Sequence, residues 1–290
     1  MLIRIGYELV FQIPSACPMT LMLGLRPERA TSIRRAAGMK LDPLVPIESF
    51  TDGFGNLGSR IVAPPGRLVL MDDLIVEDDG APDRVVPSAR QLPVEELPAD
   101  VLVYLLGSRY CEVDRLLDIA WKLFAEAPLG WGRVQAICDW VHQNIEFGYS
   151  YARPTKTAHD VYVERTGVCR DFTHLALTFC RCMNIPARYA TGYLGDIGIP
   201  PQPCPMDFSG WFEAYLDGQW YTFDARHNVP RIGRVVMARG RDAVDVALTT
   251  SFGANTLESF TVWTDEVNEP ELSPPPQELV RAAANRIVTV

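Results

Sequence analysis

Cys169 lies in Arg165-Thr166-Gly167-Val168-Cys169-Arg170-Asp171, directly ahead of a pattern in which Phe172, Leu175, Ala176, Phe179, Cys180 and Met183 recur at helical spacing. Cysteine attacks as its thiolate, and an ordinary thiol is only a few per cent ionised at neutral pH. Two arrangements correct this: a helix N-terminus, whose free N–H groups favour the anion, and an imidazole held by a carboxylate or amide. The first is expected here. Gly167 permits a tight entry, Cys169 falls in the first turn, and Asn184-Ile185-Pro186 marks the exit. A buried, inert cysteine is the competing reading, because cysteine is among the most buried residue types.

The second arrangement would come from a hairpin. Asp207 to Tyr215 and Gln219 to Asp224 read as strands joined at Asp217-Gly218. A two-residue turn there pairs 216 with 219, 211 with 224 and 209 with 226. Positions 209, 211, 213 and 215 then share a face, and position 209 becomes a diagonal neighbour of Asp224. A slip of one residue would remove that relation. A histidine at 209 would meet the Asp224 carboxylate, but the sequence has Ser209. Serine does not take a proton near neutral pH and forms no ion pair with a thiolate. Losing one member of a unit that acts together can cost on the order of 10⁶ in turnover.

The four histidines offer no clear substitute by spacing. His227, three residues after Asp224 and beyond the strand end, reads as a loop residue that returns to the carboxylate only if the chain turns there. His174 points elsewhere on the Cys169 helix, His159 caps or packs, and His142 sits on an earlier helix. Trp211 shares the face of position 209; the other hairpin aromatics read as core or half-buried sheet positions. Arg170 and Asp171 read as helix-end residues or as orienters of nearby loops.

Several segments together resemble the transglutaminase-like superfamily, in its bacterial cysteine-peptidase branch. They are Ala158 to Val161, Arg165 to Phe172, Ile185 to Tyr193, Trp211 to Tyr215 and Trp220 to Arg226. The resemblance covers most of residues 100 to 265, and the N-terminal part looks like the β-rich domain preceding the core in that branch. It implies an α+β protein: an N-terminal antiparallel β-sandwich followed by a papain-like, transglutaminase-like core of helices on an antiparallel sheet. It also implies a Cys–His–Asp triad in that chain order. Cys169 matches the nucleophile, Asp224 the histidine's partner and Ser209 the histidine position. Backbone N–H groups at the helix start, with Trp211, are the candidates for holding an oxyanion. The implied function is a cysteine peptidase or amidase acting on peptide or protein amides, with weak or absent activity because of Ser209. The alternative is a non-catalytic protein that keeps the fold to bind a peptide or partner.

Composition bounds these readings. A net charge of −9 argues against nucleic-acid binding. No uncharged apolar run reaches transmembrane length, and the charged, alternating start Met1-Leu2-Ile3-Arg4-Ile5 is unlike a signal peptide. Seven cysteines without regular spacing favour reduced thiols in the cytoplasm over a disulfide framework. Neither Cys180-x-Cys182 nor the acidic run from Asp72 to Asp79 has ligand spacing, so no metal or other cofactor is expected.

Residues 2 to 13 alternate as a strand, and strand-like runs follow at Leu21 to Arg26, Gly58 to Ala63 and Arg67 to Val76. These predict a β-sandwich over residues 1–80, a proline-rich linker over 81–98, the catalytic-type core over 99–266 and a flexible proline-rich tail over 267–290. In the core, helices near 113–124 and 134–145 precede the Cys169 helix. Strands then follow near 187–194, 208–216, 219–224, 235 and 260–263, an order that indicates an α+β layer. The Gly- and Pro-rich stretch from Gly195 to Pro205 is a loop placed to line a cleft.

Overall fold

The N-terminal strands follow from alternation and turn residues. β1 (Leu2–Ile13), β2 (Cys17–Leu21), β3 (Ile33–Ala36), β4 (Lys40–Asp42), β5 (Glu48–Thr51), β6 (Leu57–Ala63) and β7 (Gly66–Glu77) come first. They are followed by α1 (Val113–Phe124), α2 (Trp131–Asn144), β8 (Glu146–Phe147), α3 (Ala158–Glu164), β9 (Thr166–Gly167) and α4 (Cys169–Cys182). The chain then forms β10 (Ala187–Tyr193), β11 (Ser209–Leu216), β12 (Gln219–Phe223), β13 (Val235–Gly240), β14 (Thr249–Ser251) and β15 (Thr256–Val267). The computed structural model describes residues 1–201 and 205–268.

Two antiparallel sheets form the N-terminal unit. One runs β15-β1-β7-β3, with β4 also on β7; the other runs β14-β2-β6-β5. Ile3, Ile5, Tyr7 and Leu9 of β1 share one core cluster with Met19, Leu21, Ile61 and Leu70. The expected sandwich is therefore present, but its boundary differs from the prediction. β15 pairs with β1 from Leu2↔Val267 to Gln12↔Thr256, and β14 pairs with β2. Residues 249–267, expected with the core, complete the N-terminal sheets. β1 is apolar and buried along nearly its whole length, so it needs a hydrogen-bonding partner on both edges. The Leu21–Arg26 strand also shifts: β2 ends at Leu21, and a 3₁₀ turn follows at Pro27–Ser32.

The core carries a four-stranded antiparallel sheet, β12-β11-β10-β13. The β11–β12 register runs from Leu216↔Gln219 to Phe212↔Phe223, as the two-residue turn predicts. Asp217 and Gly218 both have positive φ, 50° and 81°, the backbone of a type I′ turn. The even-numbered Phe212, Ala214 and Leu216 join the cluster of Leu175, Phe179 and other α-helical residues. The odd-numbered Tyr215 instead packs against Leu97 and Val101. β11 is thus buried on both faces, beneath α4 on one and a strap from residues 81–105 on the other.

That strap is the segment expected to be a linker. Its backbone is tied down along its length: Asp83 N–H donates to Arg231 O at 2.9 Å, Trp131 N–H to Ala89 O at 2.9 Å and Asp217 N–H to Arg90 O at 2.9 Å. Its prolines lead into two short 3₁₀ helices, Val94–Glu96 after Pro93 and Ala99–Leu105 after Pro98, and leave the carbonyls free to accept. The predicted tail lies outside the described residues from position 269 onward.

Candidate functional site

Cys169 is the first residue of α4. Its N-cap, Val168, has no side-chain acceptor, and the buried Asp171 carboxylate instead accepts the Val168 N–H at 3.0 Å. Arg170 pairs with Asp171 at 3.2 Å and donates to Arg153 O at 2.6 Å. Gly167 is required here: a Cβ on it would lie 2.6 Å from that of Asp171. The Thr173 hydroxyl sits 2.9 Å from Cys169 O and 3.0 Å from Gly210 O, joining the helix start to β11. Gly210 gives its N–H to the Cys169 sulfur. A Cβ at 210 would sit 2.3 Å from the Tyr189 hydroxyl, so a larger residue there would have to displace that buried ring.

The helix start does not leave Cys169 a ready thiolate. Burial pushes the thiol up to about 11, and the Asp207 carboxylate adds to the effect; Arg226 and the Gly210 N–H oppose them. The residue as a whole is half-buried. Asp207 is itself pushed up to about 6, by burial, against the Phe208 N–H and Arg226.

Asp224 lies just beyond β12, where the chain turns. Its Oδ1 accepts the N–H groups of Arg226 at 3.0 Å and His227 at 3.1 Å, and its backbone carbonyl accepts that of Asn228 at 2.8 Å. Its Oδ2 takes His227 Nδ1 at 2.9 Å and Arg234 Nη2 at 2.9 Å. Arg234 continues to Asp83 of the strap at 2.8 Å. Burial alone would raise the Asp224 carboxyl, but Arg234 and His227 outweigh it and hold it well below the usual carboxylate range. His142 Nδ1 donates to Arg226 O at 2.8 Å, pinning the same turn to α2.

A small open cleft is lined by Asp196, Asp207, Ser209, Arg226, His227 and Arg231, among others. The loop residues Asp196 and Pro205 do line it, as the Gly- and Pro-rich stretch suggests; residues 202–204 lie outside the described part. Ser209 opens onto this cleft. Cys169 itself is not among the residues that line it, but the charges of two that do, Asp207 and Arg226, act on its thiol. Trp211 is fully buried, Arg234 lies over its ring at 4.9 Å, and its Nε1 has no partner. It belongs to the odd-numbered face of β11, turned from α4, and gives the cleft no surface. His174 is also sealed: it stacks on Tyr110 at 5.0 Å, its Nε2 accepts the Ala243 N–H at 3.1 Å, and burial holds it well below its ordinary range. His159 joins the helix start of α3, where its N–H donates to Glu112. Among the described residues, no group of three His, Cys, Asp or Glu side chains could hold a metal ion.

The sequence model of the transglutaminase-like superfamily matches residues 120–225, a span that holds Cys169, Ser209 and Asp224. A crystal structure described as a "Putative Cysteine Protease" from Cytophaga hutchinsonii is 30% identical, with a TM-score of 0.80, covering 94% of this chain and 93% of that one. This chain belongs to the transglutaminase-like superfamily. An uncharacterized protein of Mycobacterium leprae (strain TN), ML0607, is 24% identical over 193 residues, 64% of this chain and 67% of that protein.

This transglutaminase-like chain has Ser209 on the cleft wall. It also carries features that spacing did not single out. His227 is the chief one: the chain does turn after Asp224 and brings the imidazole back to the carboxylate, where a loop histidine was expected. The available signal was Asp-x-x-His after a strand, the spacing of a side chain that caps its own turn. Asp207, two residues before Ser209, and Arg234, ten after Asp224, carried no signal because their partners come from distant segments. Among the described residues no helix is long and apolar enough to cross a membrane.

Proposed function

We propose that this chain is a cysteine peptidase- or amidase-type protein in which Cys169 forms a thioester with the acyl group of a peptide or protein amide. Free N–H groups at the start of α4 and the Gly210 N–H would receive the developing oxyanion. The observation that carries this reading is Cys169 at the first position of α4, its sulfur facing Gly210 beside the cleft that Ser209 lines. Its position within the matched superfamily span supports it. Turnover is expected to be slow, because the thiol rests protonated and position 209 supplies no imidazole. The free cysteines found among the described residues suit a reducing compartment such as the cytoplasm.

A second reading is a peptide- or partner-binding protein with no turnover; the thiol pushed up to about 11 favours it. The two separate in one assay. The parent and Cys169→Ala are incubated with a panel of peptide amides, and both hydrolysis and amine incorporation are followed. The catalytic reading expects slow turnover that disappears in Cys169→Ala. Peptide binding that is equal in both proteins, with no Cys169-dependent product, would favour the binding reading.

A further inference from the structure

The cleft contains an imidazole with the support a general base needs, at a position the sequence pattern does not mark. His227 Nδ1 lies 2.9 Å from Asp224 Oδ2, and the same carboxylate holds the His227 N–H at 3.1 Å. A carboxylate oxygen only accepts, so Nδ1 carries the hydrogen and Nε2 is left as the basic nitrogen. The ring is 20% exposed and lines the cleft beside Ser209, whereas His174 is sealed and neutral. Cys169 takes the Gly210 N–H next to Ser209, a cleft residue, and the charges of Asp207 and Arg226, which line the cleft with His227, are felt at its thiol. Arg226 is the residue just before His227 in the turn.

We propose that His227, oriented by Asp224, is the catalytic base for Cys169, replacing from the β12–β13 side the imidazole that position 209 lacks. The inference rests on the thiol acyl-transfer reading above. His227 Nε2 takes the Cys169 proton, directly or through one water, as Sγ forms its bond to the acyl carbon. The C–N bond breaks, and the imidazolium returns the proton to the departing amine. Water then attacks the thioester while Nε2 takes its proton, releasing the carboxylic acid and restoring the thiol. Asp224, Arg234 and Asp83 are positioning residues in a chain that runs from the ring to the strap. The other charged or titratable groups facing the ring across the cleft are Tyr149, Asp196, Asp207, Arg226 and Arg231.

The test uses p-nitrophenyl acetate as acyl donor. Intact-protein mass spectrometry with peptide mapping follows acetylation of Cys169, so solution hydrolysis of the ester does not enter. The parent should acquire and then lose a Cys169 acetyl group. His227→Ala, shown to be folded by its thermal melt, should acquire it about 10²-fold more slowly, the size expected of a general base. Free imidazole should restore part of that rate, which a purely structural role would not allow. Acetylation of His227→Ala at the parent rate would overturn the inference and leave the thiol reading standing. Absence of any Cys169 acetyl group in the parent would overturn both.

Discussion

At the scale of single residues, the site is governed by charges placed beside a poorly solvated sulfur. Burial and the Asp207 carboxylate outweigh Arg226 and the Gly210 N–H, so the thiol is pushed up to about 11. Asp207 is itself pushed up to about 6 from 3.8 by burial, against the Phe208 N–H and Arg226. Between those two pH values the folded state binds more protons than the unfolded one. Stability therefore falls as pH rises through that window, and the cost is complete above about pH 6. Asp207→Asn removes it. After allowance for cleft water, this variant is expected to match the parent near pH 4 and exceed it by about 1–2 kcal/mol at pH 8, read by urea denaturation. Its Cys169 should also react several-fold faster with iodoacetamide at pH 8, because one anion near the sulfur is gone. An alkylation rate unchanged by the substitution would show that Asp207 does not act on the thiol.

At the scale of elements, the sheet under α4 is fastened by one buried carboxylate. Glu213 of β11 takes Arg188 of β10 at 2.6 Å and Arg239 of β13 at 2.9 Å. Burial would raise its carboxyl, but the two guanidinium groups hold it low. Three strands thus depend on one ionised group, and β11 is the strand whose start carries Ser209 and Gly210. Glu213→Ala would leave the partly buried Arg188 without its carboxylate and Arg239 with Glu28 alone. A loss of about 3–5 kcal/mol is expected, measured as a drop in the urea midpoint. A midpoint within the error of the parent would mean the arginines find water or other acceptors. The carboxylate's stabilising contribution is present above its unfolded pKa and disappears as pH falls, so the deficit of the variant should shrink in acid.

At the scale of the molecule, the chain closes on itself. β15 adds to β1, and Trp263 Nε1 donates to Asp73 Oδ1 at 3.1 Å, so the last described strand completes the first sheet. Val235 and Met237 of β13 enter the same apolar cluster as Ile3 and Ile5, which joins the N-terminal unit to the core. Asn56 Nδ2 adds a polar tie to Arg239 O at 2.7 Å. A fragment of residues 1–98 would lack β14 and β15 and expose a long apolar edge of β1. It is expected to show no cooperative thermal transition by far-UV circular dichroism. A sharp transition in that fragment would mean the N-terminal strands are self-sufficient.

The residues with local signatures were legible without coordinates. Cys169 is announced by a glycine entry and 3.6-residue periodicity, and the β11–β12 register by Asp217-Gly218 and strand alternation. That register also places position 209 opposite 226, and Ser209 and Arg226 do line one cleft. What depended on distant partners was not legible. β15 reads as one more strand of the core because a strand's alternation says nothing about which edge it will join. The 81–98 segment reads as a linker because its fastening, through backbone groups and through Asp83 and Arg90 side chains, is to partners distant in sequence. Whether His227 returns to Asp224 is decided by a turn closed between Asp224 and Asn228 and pinned by His142 and Arg234. The elevated thiol is decided by burial and by Asp207. Local periodicity and turn chemistry act between near neighbours and can be read from the chain, whereas desolvation and ion pairing depend on which segments fold together.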